Sequence, residues 1–346
     1  MSTVAPYGSW ASPITPELTV TGAVWLGEVR VDGDVTYWSE LRPGEGGRVQ
    51  LVRLERGGEP VDVLPDGFGA RTRVHEYGGG AWLVRDGTVV FSNWEDQRLY
   101  RFTPGSTAAA AEPPQPLTPE PGAAAALRYA DGAFTPDGAW IVCVRERHPV
   151  GAAGGPGAGA GAAADVVNEI VAVPADGSAA GRPEAVAVLA TGRDFVAAPR
   201  VSRDGRMLAW LTWDHPAMPW DGTELWIARL VESSDDGRAI EAAEPRRVAG
   251  GPDESLVQPE WGRHGQLYVV SDRDDWWNLY RVEDPDTLAP VTFVRAEIGQ
   301  PAWVFGQSRY GFTADGTVVC TYTEGREAQL QLVSADLHRP QRRVGQ

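Results

Sequence analysis

Three segments of the sequence combine aromatic and polar residues in a way that suits ligand binding. The first, from Thr212 to Glu224, joins two apolar segments that resemble β-strands and holds two prolines, two tryptophans, a histidine and two aspartates. A hairpin loop needs only about two to five residues. Aromatic walls with a few polar groups are typical of small-ligand sites. We therefore predict binding residues here, namely Trp213, Asp214, His215, Trp220 and Asp221. The alternative is that both tryptophans pack against neighbouring parts of the fold.

The second segment, Arg73 to Gly80, ends in three successive glycines. Glycines allow a backbone to approach another chain or a ligand closely. His75 and Glu76 are predicted to form a hydrogen-bonded pair, in which Glu76 receives the ammonium group of a peptide, and Tyr77 adjoins them. The alternative is that the histidine and the glutamate form a local cap of the turn.

The third segment, Asp272 to Trp277, is highly charged and ends in two tryptophans. Charges of this kind commonly form a solvated hairpin, whose ion pairs stabilise little. Because successive side chains of a strand point to opposite faces, Trp276 and Trp277 cannot both be core residues. Both are candidate binding residues.

The sequence offers little for catalysis or for metal binding. A serine nucleophile elbow requires Gly-x-Ser-x-Gly between a strand and a helix, and the nearest segment, Gly306 to Gly311, has one residue too many. The five histidines lack the spacing of a zinc site, and no phosphate-binding glycine loop precedes a helix. We predict no catalytic residue, metal or cofactor, although paired carboxylates at a shared axis stay possible in principle.

The elements that position these segments are repeated. Six turns of one type precede six apolar strands, each followed by a loop and another apolar strand, at intervals of roughly 50 to 70 residues. The turns are Asp32-Gly33, Asp86-Gly87, Asp137-Gly138, Asp204-Gly205, His264-Gly265 and Asp315-Gly316. Repeated units of three or four strands are typical of a β-propeller. The alternative is one β-sandwich or two.

We therefore predict an all-β fold, a β-propeller with six recognisable blades. The propeller covers residues 23–346 and follows an N-terminal segment at 1–22, in which Ser12 and Pro13 favour a short helical turn. The Gly/Ala-rich stretch at 149–165 is predicted to be a flexible loop inserted in the third blade. Cys143 and Cys320 lie in apolar strands and are predicted to be buried free thiols.

Bulk composition excludes several classes of partner. The chain carries 47 acidic and 31 basic residues, a formal net charge of −16, so nucleic acid and anionic membranes would be repelled. No signal peptide is visible, and no apolar segment reaches the roughly 18 residues of a membrane span. A cytoplasmic location is expected.

Six segments of the sequence carry a resemblance to a known family. They are Tyr7 to Thr15, Arg73 to Trp82, Thr212 to Leu225, Gln258 to Trp261, Ser271 to Arg281 and Ala302 to Gly306. They resemble the N-terminal propeller of bacterial serine peptidases of the prolyl oligopeptidase type, in the acylaminoacyl-peptidase and dipeptidyl-aminopeptidase branch. The resemblance implies seven blades, a following α/β-hydrolase domain with a Ser-Asp-His triad, and a propeller face that restricts access to short peptides.

Three functions are compatible with these features. The first is a substrate-gating or partner-binding module that binds a peptide or small molecule at the propeller face and works with a separate hydrolase subunit or as part of a longer enzyme. The second is a propeller repurposed as a lyase, isomerase or cyclase, or as a small-molecule binder, that uses histidine, acid and tryptophan residues at the channel mouth. The third is a non-catalytic scaffold, whose acidic surface favours a basic or peptide partner.

Overall fold

The protein is described here by a computed structural model. It describes residues 4, 6–9, 12–105, 112–149, 166–232, 239–324, 327–333 and 342–343, so the predicted loop insertion lies outside the described residues except for position 149. Helix α1 (Pro16–Val20) precedes the strands. It begins three residues later than the sequence predicted, because Thr15 caps it by accepting a hydrogen bond from the Leu18 N–H and Pro16 occupies its first position.

The described strands form six antiparallel sheets, each with four strands in sequential order. The first three sheets are β1 (Trp25–Asp32), β2 (Val35–Arg42), β3 (Arg48–Glu55) and β4 (Val61–Asp62); β5 (Trp82–Arg85), β6 (Thr88–Ser92), β7 (Leu99–Phe102) and β8 (Gln115–Pro116); and β9 (Leu127–Phe134), β10 (Trp140–Arg147), β11 (Val167–Pro174) and β12 (Ala187–Ala190). The last three are β13 (Phe195–Val201), β14 (Met207–Trp213), β15 (Thr223–Glu232) and β16 (Ile240–Gly251); β17 (Leu256–Trp261), β18 (Leu267–Ser271), β19 (Asn278–Asp284) and β20 (Thr287–Pro290); and β21 (Tyr310–Phe312), β22 (Val318–Glu324), β23 (Glu327–Val333) and β24 (Arg342–Arg343).

All six predicted turns are confirmed as the connection between the first and second strands of a sheet. Their glycines have φ values between 60° and 88°. This left-handed conformation suits hairpin turns and strains any residue with a Cβ atom. The repeat read from the sequence is therefore the repeat of the sheets, and the all-β propeller class is confirmed.

Neighbouring sheets pack face to face and bury the apolar side chains of the repeat. Trp140 and Val142 of β10 pack with Leu208 and Trp210 of β14 between the third and fourth sheets. The predicted state of Cys143 and Cys320 is confirmed, since both are buried free thiols. Burial raises the pKa of the Cys143 thiol to about 12, which keeps it protonated and unreactive at neutral pH.

The first strands of four sheets, β1, β9, β13 and β17, carry bulges. Side chains at three of these bulges accept hydrogen bonds from backbone N–H groups at the start of the next sheet: Glu28 from Gly80, Asp131 from Ala198, and Gln258 from Arg309, each at 2.7 Å. A buried N–H without an acceptor is costly. These bonds therefore tie the inner ends of adjacent sheets together.

The topology gathers the three predicted binding segments at one end of the sheets. Strand direction alternates within each sheet, so loops from second to third strands and connections between sheets all lie at the same end. Segments 73–80, 213–223 and 271–278 belong to these two classes. We call this end the loop face. Strand β1 begins there and β24 ends there.

Candidate functional site

His75 is enclosed by neighbouring elements of the loop face. Its backbone N–H donates to Glu146 at 2.7 Å, and its Nε2 lies 3.2 Å from Oδ1 of Asn168. Burial lowers the pKa of the imidazole, against the opposing effects of the Glu146 charge and the Asn168 hydrogen bond. The neutral ring therefore predominates at pH 7. His75 has a positive φ of 52°, so these contacts hold a conformation that costs energy.

Aromatic rings complete the surroundings of His75. Phe195, Trp213 and Phe305 lie at centroid distances of 5.0, 5.7 and 4.8 Å from the imidazole. The ring is thus a packing element of the loop face.

Glu76 has a different partner from His75. Its carboxylate accepts from the Arg128 guanidinium at 2.7 Å, and Arg128 also donates to Glu146 at 3.0 Å. Arg128 and Glu146 are both buried, whereas the Glu76 side chain is 74% exposed. Burial alone would raise the pKa of Glu146, but hydrogen bonds from His148 and the His75 N–H and the Arg128 charge lower it. His75 and Glu76 are therefore not paired with each other as predicted. The His75 ring contacts Asn168, and the Glu76 carboxylate contacts Arg128.

The segment 213–223 is held in place by its own acidic residues. Asp214 accepts from Arg193 at 2.7 Å and from the Asp194 N–H at 2.8 Å. Asp221 accepts from the Met218 N–H at 2.8 Å. Both predicted binding residues are thus engaged by this chain, Asp214 by the connection before β13 and Asp221 within the segment.

The aromatic residues of the segment divide into two groups. Trp213 stacks on Phe195, with centroids 5.2 Å apart, and the exposed His215 meets the same Phe195 ring edge-on at 5.0 Å. Trp220 instead contacts Trp303 at 4.4 Å. Trp213 therefore supports the loop, while Trp220 belongs to a second aromatic group.

That second group is an open surface of three rings. Tyr77 meets Trp303 at 5.7 Å, and Trp303 meets Trp220 at 4.4 Å. Tyr77 is 65% exposed and Trp303 51%. Clustered exposed aromatic residues are commonly interaction sites. We call Tyr77, Trp220 and Trp303 the aromatic shelf. Trp303 was not among the predicted site residues, because nothing in its local sequence shows that its side chain remains exposed.

Trp276 and Trp277 differ in burial, although both lie in the loop before β19 and not in a strand. Trp276 is 38% exposed. Trp277 packs with the core between the fifth and sixth sheets, where Gly299 lies against its ring, and its backbone N–H donates to Glu297 at 3.0 Å. Trp277 is thus a packing residue.

The glycines of the second segment make room for the protein's own chain. The Phe305 N–H donates to the Gly78 carbonyl at 2.9 Å, and a Cβ atom on Gly79 would lie 2.3 Å from the Phe305 carbonyl oxygen. The connection between β20 and β21 therefore crosses to the second sheet. The close approach predicted from these glycines exists within this chain.

Below this crossing lies a narrow axial cavity of about 80 Å³. Asp131 and Arg200 line it, and their ion pair, at 3.1 Å, continues from Arg200 to Glu260 at 2.9 Å. This chain of ion pairs therefore joins the third, fourth and fifth sheets.

Two other kinds of feature are absent from the described part of the chain. Within the described ranges, no group of three or more His, Cys, Asp or Glu side chains is arranged to hold a metal ion. Of the helices in the described part of the chain, none has the length and apolar character to cross a membrane.

Comparison with known proteins gives similarity over nearly the whole chain. A Mycobacterium tuberculosis puromycin-hydrolyzing peptidase is 37% identical over 97% of this chain and 50% of its own, with a TM-score of 0.79. A puromycin hydrolase is 35% identical over 100% of this chain and 50% of its own, with a TM-score of 0.83. Prolyl oligopeptidase B from Galerina marginata, at 13% identity and a TM-score of 0.63, shares the fold, over 93% of this chain and 44% of its own.

The chain thus spans about half the length of the structures that it matches. No family model matches it, and no curated protein matches it.

Proposed function

This chain matches the propeller half of the prolyl oligopeptidase family of serine peptidases, and we propose that it gates and binds the substrates of such a peptidase. The supporting observation is the aromatic shelf beside the exposed Glu76 carboxylate on the loop face. Together they suit a short peptide or aminoacyl amide with a free amino group and an apolar side chain.

Charge favours an ammonium group at Glu76. One guanidinium, from Arg128, serves the two carboxylates of Glu76 and Glu146. The local charge is therefore negative unless the imidazole of His148, which contacts Glu146, is protonated. An ammonium group would offset this charge and approach Glu76 from solvent. Puromycin, an aminoacyl amide with a free amine and an aromatic side chain, has both features.

Gating is proposed at the loop face. The axial cavity lined by Asp131 and Arg200 has space for several water molecules but not for a peptide chain. A hydrolase domain covering the loop face, where β1 begins and β24 ends, would admit only short substrates. The partner is a hydrolase unit, either a separate subunit or part of the same protein. The proposal includes that the peptidase belongs to the acylaminoacyl- or dipeptidyl-aminopeptidase branch of the family and that the protein is cytoplasmic.

The alternative of a propeller enzyme with a His-acid pair gains no support from the geometry. The ring of His75 is occupied by Asn168 and aromatic neighbours, and Glu76 is paired with Arg128.

Calorimetric titration of the purified chain with puromycin and with N-acetylpuromycin tests this proposal. We expect the free amine to bind at least about tenfold more tightly, because acetylation removes the charge that pairs with Glu76. Glu76→Gln should abolish that preference. Trp303→Ala should weaken both ligands about tenfold, whereas Trp25→Ala, which removes an exposed tryptophan on β1, should change neither.

Equal affinity for the two ligands, or a preference that survives Glu76→Gln, would contradict the assigned site. Labelling with a fluorophosphonate probe tests the division of labour. The chain alone should remain unlabelled while a puromycin hydrolase is labelled in parallel, and covalent labelling of this chain would overturn the proposal.

A further inference from the structure

A second cleft lies between the third and fourth sheets, away from the aromatic shelf. It has a volume of about 710 Å³, within the usual range for small-ligand sites. Val188 and Ala190 of β12 line one side, and Trp210 and Trp226 line the other. We call it the interblade cleft.

The tryptophan wall is flat and fixed. Trp210 and Trp226 are cross-strand neighbours on β14 and β15, so both face the third sheet. Their rings stack with centroids 6.3 Å apart and an interplanar angle of 20°. The Trp226 indole N–H donates to Glu224 at 3.1 Å, which fixes its orientation. Trp210 is almost entirely buried, at 3% exposed, so Trp226 is the ring of this wall that a planar aromatic ligand can contact.

The polar end of the cleft contains two donors without acceptors among the described residues. Thr212 follows Trp210 by two positions on the same strand face, is 2% exposed, and its hydroxyl has no hydrogen-bond partner. The buried Nε of Arg193 also has none, although its terminal nitrogens bind Asp214 and Glu224. Buried polar groups usually have partners, and leaving them unpaired costs free energy. Thr212 and Arg193 are both among the residues that line the cleft.

The surrounding charges favour a neutral ligand. The Arg193 guanidinium already has two carboxylates, and Arg247 at the rim pairs with Asp286 at 3.0 Å. A carboxylate ligand would meet Glu224, which also lines the cleft. A neutral oxygen can accept from Thr212 and Arg193 without this repulsion.

We propose that the interblade cleft binds a small neutral aromatic molecule that carries a carbonyl or carboxamide oxygen. The ring packs against Trp226, and the oxygen accepts hydrogen bonds from the Thr212 hydroxyl and Arg193 Nε. This site does not depend on the function proposed for the aromatic shelf.

Fluorine NMR titration of the whole chain with 4-fluorobenzamide tests the proposal. The two comparison ligands are 4-fluorobenzoate, which adds a negative charge, and trans-4-fluorocyclohexanecarboxamide, which lacks a flat ring. We expect saturable binding of 4-fluorobenzamide in the millimolar range or tighter, and at least about tenfold weaker binding of the other two.

Two variants locate the site. Val188→Trp should fill the cleft and weaken binding at least about tenfold, and the exposure of Val188, 46%, makes this replacement compatible with folding. Thr212→Val should weaken binding about fivefold through the loss of one hydrogen bond. Because the hydroxyl has no protein partner, Thr212→Val should leave the melting temperature unchanged or raise it. Trp303→Ala on the aromatic shelf is the control and should leave binding unchanged.

The proposal is overturned if 4-fluorobenzamide does not bind, if 4-fluorobenzoate binds as tightly, or if Val188→Trp has no effect. It is also overturned if Trp303→Ala abolishes binding, which would place the fragment at the aromatic shelf, or if Thr212→Val lowers the melting temperature. The puromycin titration can fail without changing any of these outcomes, so the two proposals are separable.

Discussion

His75 illustrates how one residue can couple packing to protonation. Its imidazole lies among Phe195, Trp213 and Phe305, and burial lowers its pKa. The unfolded chain protonates this histidine near the ordinary pKa of 6.5, while the folded chain does so only at lower pH. Below pH 6.5 the unfolded state therefore binds more protons, and stability falls as pH falls.

We expect His75→Gln to reduce this pH dependence. Between pH 7.5 and 5.5 the wild-type free energy of unfolding should fall by about 1 kcal/mol more than that of the variant. The Glu146 carboxyl, whose pKa is lowered from 4.5, does not contribute in this range. Urea unfolding at several pH values measures the effect, with His215→Gln as the exposed control. If the free energy of unfolding of His75→Gln changed with pH in parallel with that of the wild type, His75 would not be the cause of the pH dependence.

Sequence reasoning identified the right residue types at the loop face but not their partners. It selected His75, Glu76 and Trp220, which do lie there. Their actual partners are Asn168, Arg128 and Trp303. Asn168 lies 93 residues from His75 in the sequence and Arg128 lies 52 residues from Glu76, so these pairings depend on how the sheets are placed around an axis. The local sequence around these residues does not indicate that placement.

At the scale of elements, the connection between β20 and β21 depends on glycine geometry in a distant loop. Gly79 has a φ of 86°, and a Cβ atom there would overlap the Phe305 backbone. Gly67 has a similar φ of 82°, but nothing lies within 4 Å of its ideal Cβ position. A substitution at Gly67 therefore introduces backbone strain alone, whereas a substitution at Gly79 introduces backbone strain and steric overlap.

We predict that Gly67→Ala destabilises the fold by about 1 kcal/mol through its left-handed backbone alone. Gly79→Ala should cost at least about 2 kcal/mol more, because the connection must move away from the second sheet. Chemical unfolding measures both, and hydrogen exchange at the Phe305 amide should accelerate only in Gly79→Ala. Equal costs for the two variants, with Phe305 exchange unchanged, would mean that the contact with Phe305 does not hold the connection.

The regular parts of the elements were predictable, and their interruptions were not. Asp-Gly turns and apolar strands follow from local conformational preference and alternation, so the second and third strands of each sheet were found, and each turn implied a strand before it. Fourth strands such as β4 and β8 have only two residues, too few to show a period. The bulges beside Asp131 and Gln258 are specified by neighbouring sheets.

For the whole molecule, the six sheets were predictable because one pattern recurs six times. Which face of the first sheet is buried and which is exposed was not predictable. Tyr37 and Leu51 of this sheet are buried against the second sheet. On the other face, Val29 and Val31 of β1 are 65% and 70% exposed, and Leu26 is 73% exposed. The alternation of apolar and polar residues indicates that a strand has two faces, but it does not indicate which face packs against a neighbouring sheet.

This exposed apolar face should make the isolated chain associate, against the repulsion of its net charge of −16. Salt screens that repulsion, with a Debye length of about 10 Å at 0.1 M and about 3 Å at 1 M. We therefore expect the associated fraction in sedimentation velocity to rise with sodium chloride concentration. Replacing Val29 and Val31 together by threonine should lower it several-fold, while Val188→Thr, on the third sheet, should not. Association that falls with salt, or that is insensitive to the double replacement, would mean that ion pairs or another surface hold the copies together.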